Sequence, residues 1–126
     1  MVNPYARLET ILLIAVGGFA GANLRYFVDL AVPDALVATL LVNVLGSFAL
    51  GVVLYESLRV GVGSEQARLV LGTGVLSSFT TFSTFVLDAV TAAPTVAAAY
   101  VLGSYVLGFT GVLLARGLVT RYLEGP

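Results

Sequence analysis

LVLGTGVLSSFTTFSTFVL, residues 69–87, carries no charged side chain from end to end. It is about as long as a helix needs to be to cross a hydrocarbon core roughly 30 Å thick. Its apolar residues run on continuously instead of alternating with period two, so the stretch reads as a membrane helix and not as a barrel strand. Three more stretches of the same kind lie outward from it. Residues 10–28 contain a single charge, Arg25, near the far end; residues 35–55 contain none; residues 95–115 follow the punctuation around Pro94 and contain none. The first stretch runs into Arg25 and Tyr26 without a small-residue cleavage site, so it is read as a mature span and not a signal peptide. The expected fold is an all-α membrane protein: one domain of four transmembrane helices, spans at about 10–28, 35–55, 69–87 and 95–115, joined by short connections that leave no room for a soluble domain.

Composition supports lipid as the solvent. Of 126 residues 59% are hydrophobic and only 10% charged, and mean hydropathy is +1.02, well outside the range of water-soluble domains. With no Cys and no His, thiol chemistry, disulfides, the usual zinc and copper sites and His-based triads are all excluded. Every basic residue is Arg, which removes lysine nucleophiles as well. A net charge of −1 with scattered arginines leaves no electrostatic footprint for nucleic acid.

Loop charge orients the bundle. With four spans, both termini and the connection between the second and third spans share one side, which collects Arg7, Arg59, Arg68, Arg116 and Arg121; the other side has only Arg25. That asymmetry predicts a multi-pass protein of the cell membrane with cytoplasmic termini.

The polar residues inside the spans point to function. Residues 77–85, SSFTTFSTF, hold six hydroxyls in nine positions, too many for a lipid-facing helix. Hydroxyls that bond back to the i−4 carbonyl compete with the helix ladder, so a local break in the third helix is expected. Non-helical backbone at membrane depth is tolerated only inside protein or beside a water-filled cavity. Asn43 lies near the middle of the second span on one face with Thr39 and Gly46 or Ser47, and a buried carboxamide needs partners. It is either glue between helices or the lining of a polar pathway. Tyr100, Ser104, Gly108 and Gly111 draw a similar stripe on the fourth span, while Gly17, Gly21 and Arg25 form a row on the first. Such glycines allow close helix contact, and Arg25 either snorkels to the headgroups or serves the interior. An interior offering N–H and O–H groups but no carboxylate suits an anion, and phenylalanine edges carry partial positive charge that can contact a small desolvated one.

The runs GGFAGANLRY (17–26), TLLVNVLGSF (39–48) and TTFSTF (80–85), together with four spans, resemble the CrcB/Fluc fluoride channels over essentially the whole chain. The resemblance implies a passive, fluoride-selective channel, not an enzyme, that exports F⁻ to relieve toxicity, built as an antiparallel dimer with pores at the subunit interface. By position, Asn43, Phe82, Phe85, Ser83, Thr84, Tyr100 and Ser104, with Thr39, match the fluoride pore, and Arg25 falls in a matching motif. The family also holds a structural Na⁺ on backbone carbonyls at the helix break, which here correspond to Ser77 and Thr80; Ser77-Ser78 stands where the family has Gly-Gly. The second subunit is either another copy of this chain or a paired homologue. The arginine asymmetry favours the homologue, because a chain that inserts both ways keeps its charge near balance. A four-helix proton-coupled drug exporter is the main competing architecture, but it needs a carboxylate within the first span, and Glu9 lies at the membrane entrance. A non-conducting partner subunit would have lost Asn43, Phe82 and Phe85.

Overall fold

Asn3, Asp34 and Ser64 each open a helix by accepting a hydrogen bond from a backbone N–H of the first turn, at 3.0, 3.1 and 3.1 Å respectively. Such caps satisfy donors that the helix itself cannot. The computed structural model describes residues 3–61 and 63–123. Helix α1 is Pro4–Ala31, α2 Ala35–Tyr55, α3 Glu65–Arg68, α4 Ser77–Phe79, α5 Ser83–Thr91 and α6 Pro94–Leu118. Widened, π-type turns extend α2 through Glu56–Val60 and α6 through Val119–Leu123, and join α3 to α4 through Leu69–Leu76. No strand occurs among the described residues.

Four helical spans are long and apolar enough to cross a membrane: Pro4–Ala31, Ala35–Val60, Glu65–Thr91 and Pro94–Tyr122. The helices outrun the uncharged stretches that announce them. Residues 29–31, 56–60 and 65–68 fall in the expected connections and are helical instead. A helix does not end where the apolar run ends, because its own ladder satisfies the backbone through the headgroup region; it ends at a cap or a left-handed residue. Gly61 supplies the latter at the end of the second span, with φ of 68° and its N–H on the Glu56 carbonyl at 2.7 Å, a conformation glycine adopts without a Cβ penalty.

The four spans pack as two main pairs. Helix α1 lies along the turns Leu69–Leu76 and α4, and α2 lies along α6. The first pair is set by mutual glycine contact. A Cβ on Gly74 would stand 2.8 Å from the Gly17 Cα and 3.0 Å from the Ile14 carbonyl oxygen, and a Cβ on Gly21 would run into the Val75 carbonyl. Backbones that approach this closely gain dispersion contacts that lipid cannot match. Few side chains are fully enclosed, Val42 and Val119 being the largest, while leucines and phenylalanines are exposed along every span. That distribution fits a chain whose outer surface is solvated by acyl chains.

Within the third span the chain leaves helical geometry after Phe79. Thr80 is extended, with φ −79° and ψ 162°, and helix resumes at Ser83. The hydroxyl groups bond back as their density suggests: Ser77 Oγ to the Thr73 carbonyl and Thr80 Oγ1 to the Leu76 carbonyl at 2.9 Å.

Candidate functional site

The non-helical residues at 80–82 are held from two sides. From α2, the Asn43 Nδ2 donates to the Thr81 carbonyl at 2.9 Å, and the Asn43 Oδ1 accepts the Thr81 N–H at 2.8 Å. One carboxamide thus takes both backbone groups of one residue, closing a two-bond ring. From the break itself, Thr81 Oγ1 accepts the Thr84 N–H at 3.2 Å and so caps the start of α5. Thr80 fits against α2 because residue 46 is glycine; a Cβ there would collide with the Thr80 methyl group. The pairing has a consequence for the ladder. In an unbroken helix the Thr81 N–H would go to the Ser77 carbonyl, and here it goes to Asn43, which releases the Ser77 oxygen.

Beside the break lies a groove of about 590 Å³ between α2, the third span and α6. Asn43, Phe82, Phe85 and Ser104 line it, together with Ser77 and Thr80. Among the described residues no carboxylate contributes to its wall. Phe82 is 73% exposed and its ring centroid lies 5.9 Å from that of Phe85. Phe85 is more confined: Tyr100 lies at 5.3 Å, and Tyr105 meets it edge to face at 6.3 Å with an interplanar angle of 88°. Tyr105 in turn stacks on Phe109 at 6.2 Å. The result is an aromatic ladder along α5 and α6 that presents ring edges as well as faces.

The other expected positions do not line the groove. Tyr100 is only 7% exposed, packed behind Phe85, and its hydroxyl donates to the Asp88 carboxylate at 3.3 Å. Thr39 is buried. Ser83 is exposed, with its Oγ 3.5 Å from Thr81 Oγ1. Thr84 turns the other way, toward α1, where its Oγ1 accepts from the Arg25 guanidinium at 2.7 Å. Arg25 therefore ties the first span to the third. Two groove residues, Tyr105 and Phe109, escaped the sequence reading. A turn apart on an apolar helix, they look like ordinary lipid-facing aromatics, and only the position of Phe85 makes them part of the site.

Hydroxyl direction refines the picture of a donor-rich interior. Ser47 Oγ donates to the Asn43 carbonyl at 2.8 Å and Ser104 Oγ to the Tyr100 carbonyl at 2.7 Å. With their protons engaged along their own helices, these groups present lone pairs to the groove. Turning a hydroxyl outward forfeits one such bond, a net cost of about 1 kcal/mol. The second N–H of Asn43 carries no such cost. Among the described residues no three His, Cys, Asp or Glu side chains gather to hold a metal ion, so a cation at the break would have to be met by neutral oxygens.

Comparison with known proteins bears on this geometry. Residues 12–117 match the family model described as CrcB-like protein, Camphor Resistance (CrcB). The chain is 53% identical over 123 residues to the fluoride-specific ion channel FluC 1 of Haloarcula marismortui, covering 98% of this chain and 95% of that protein. It is 46% identical over 112 residues to FluC 1 of Natronomonas pharaonis, covering 88% and 94%. It is 48% identical over 107 residues to FluC 2 of Halobacterium salinarum, covering 84% and 83%.

Proposed function

Because the chain belongs to the CrcB-like family, we propose that it is a fluoride channel, a multi-pass membrane protein and not an enzyme, that lets F⁻ leave the cytoplasm passively. The observation that carries the reading is the groove at the helix break, where aromatic rings, hydroxyls and one carboxamide join aliphatic side chains in the wall and no carboxylate does among the described residues. An acid exterior drives neutral HF inward, where it dissociates; an open F⁻ path then lets the membrane potential expel the anion. No coupling group is needed for that direction of flow.

In this reading Phe82 and Phe85 offer ring edges to the ion, and Asn43 does two things. It holds Thr81, and it retains one N–H for the ion or a pore water. Ser104 supplies a hydroxyl that rotates toward the ion as it passes. Tyr100, with Thr39 beneath it, backs Phe85, while Ser83 and Thr84 stand off the groove, Ser83 beside Thr81 and Thr84 bonded to Arg25. The groove of one chain is open on one side, and a second, antiparallel subunit would close it and place the pores at the interface. The five-to-one arginine asymmetry favours a paired homologue over a second copy and puts the termini in the cytoplasm.

A structural Na⁺ fits the donor set at the break. The Ser77 carbonyl is released by the Asn43–Thr81 pairing, and extended Thr80 takes its own carbonyl out of the ladder. Neutral backbone oxygens suit a hard cation. When bound, Na⁺ would supply positive charge that holds the two halves of the third span together.

Fluoride efflux from liposomes tests the reading, with the purified chain reconstituted alone and together with an oppositely biased homologue. Fluoride release without chloride release in either preparation supports it; no fluoride release in both rejects it.

A further inference from the structure

Ser104, Tyr105, Gly108, Phe109 and Val112 form the α6 wall of the groove. Arg116 follows Val112 by four residues, a spacing that keeps it on the same helix face one turn further along. It is exposed, and no hydrogen bond or ion pair engages its side chain among the described residues. Glu56, an acid at the same end of the bundle, is committed elsewhere: its Oε1 accepts the Gly63 N–H at 2.7 Å and its Oε2 lies 3.9 Å from Arg68. Arg121 is nearby in sequence but off the groove face, with its guanidinium 5.7 Å from the Tyr122 ring centroid.

A cation in the last turn of α6 also complements the helix dipole and biases insertion. Those roles explain a positive charge at this end but are indifferent to the helix face that carries it. The groove face is where Arg116 sits.

We propose that Arg116 is an anion-recruiting residue at the mouth of the groove, an unpaired guanidinium that raises the local concentration of F⁻ where the ion enters. This rests on the fluoride-channel reading and adds to it an entrance residue outside the pore-lining set. A charge at a low-dielectric cleft acts through the field and not by contact, so its effect depends on ionic strength.

The test uses whichever preparation conducts, in vesicles of neutral lipid, at ionic strengths of about 0.01 M and about 1 M, where the Debye length falls from roughly 30 to 3 Å. At low ionic strength and subsaturating fluoride, Arg116→Gln is expected to lower the initial flux roughly two- to threefold, and Arg116→Glu roughly fivefold, the effect in water of losing one and two unit charges at a separation on the order of 8 Å from an ion. Arg116→Lys should conduct like the parent chain, and all differences should vanish at high ionic strength. Arg121→Gln removes the same charge off the groove face and farther from its mouth, so it should lower flux less than Arg116→Gln does at low ionic strength and have no effect at high ionic strength. Equal flux for Arg116→Gln and the parent at low ionic strength overturns the inference, as does a loss that persists at high ionic strength or an equal loss in Arg121→Gln. Vesicles of the parent chain that release no fluoride in any preparation reject the channel reading itself, and the inference falls with it.

Discussion

Asn43 combines a structural task with the functional one proposed above. Its two bonds to Thr81 satisfy an N–H and a C=O that would otherwise stand unpaired in the membrane interior, at about 1–3 kcal/mol for each group. Asn43→Ala should therefore lower both thermal stability in detergent and fluoride flux. Asn43→Asp keeps the size and can still accept the Thr81 N–H, but it sets a carboxylate against the Thr81 carbonyl and on the proposed ion path. Flux should be nearly abolished at neutral pH with a smaller loss of stability than in the alanine variant; normal conduction by Asn43→Asp would reduce Asn43 to glue. Phe82 and Phe85 differ in a way their motif hides. Phe85 is held among Tyr100 and Tyr105, whereas Phe82 stands in the open. Isoleucine at either position keeps bulk and loses the quadrupole, so each variant should conduct roughly fivefold less or worse, the equivalent of about 1 kcal/mol of edge contact. Unchanged flux in both variants would rule out ring-edge contact with the ion.

At the level of elements, the third span is the component with conflicting demands. Its hydroxyls bond back to carbonyls and its turns are widened from Leu69 to Leu76, yet it packs closest to α1. Glycine resolves the conflict where Gly17 meets Gly74. Gly74→Leu would drive a side chain into the α1 backbone, and since neither backbone can yield without separating the two spans, the variant should fail to give monodisperse protein on size exclusion. Gly103, where an added Cβ would meet nothing within 4 Å, provides the contrast: Gly103→Ala should fold normally and gain about 0.5–1 kcal/mol from helix propensity alone. Glycines inside a span therefore need the partner helix to be told apart. Gly17 and Gly21 are indispensable by contact, and Gly103 is not.

For the whole molecule, the proposed pore requires that the open side of the groove be covered by a second subunit. The arginine asymmetry predicts one orientation in the membrane, and in the proposed antiparallel assembly the other position would then go to a homologue of opposite bias. A single Cys appended to the C-terminus and probed with an impermeant thiol reagent in native membranes should be labelled from the cytoplasmic side alone. Labelling of about half the molecules from each side would replace the paired homologue with an antiparallel homodimer.

The four spans, their lipid-facing character and the carboxylate-free interior were legible in the chain itself, because avoidance of charge over the width of a bilayer is a local property that no distant contact can alter. The back-bonding of hydroxyls at 77–85 was legible in the same way, since it reaches only four residues, as Ser77 and Thr80 do to Thr73 and Leu76. What tertiary structure alone decided is which neighbours the polar groups find. Asn43 meets Thr81 and Arg25 meets Thr84 across long intervals of sequence, so Thr84 faces α1 and not the groove, and Tyr100 stands behind Phe85 and not beside it. Tyr105 and Phe109 enter the site for the same reason. In a bundle where every helix is apolar on most faces, the hydrophobic pattern no longer marks the buried side, and the face that each helix turns inward is chosen by close contact between backbones and by the pairing of the few polar groups that lipid cannot satisfy.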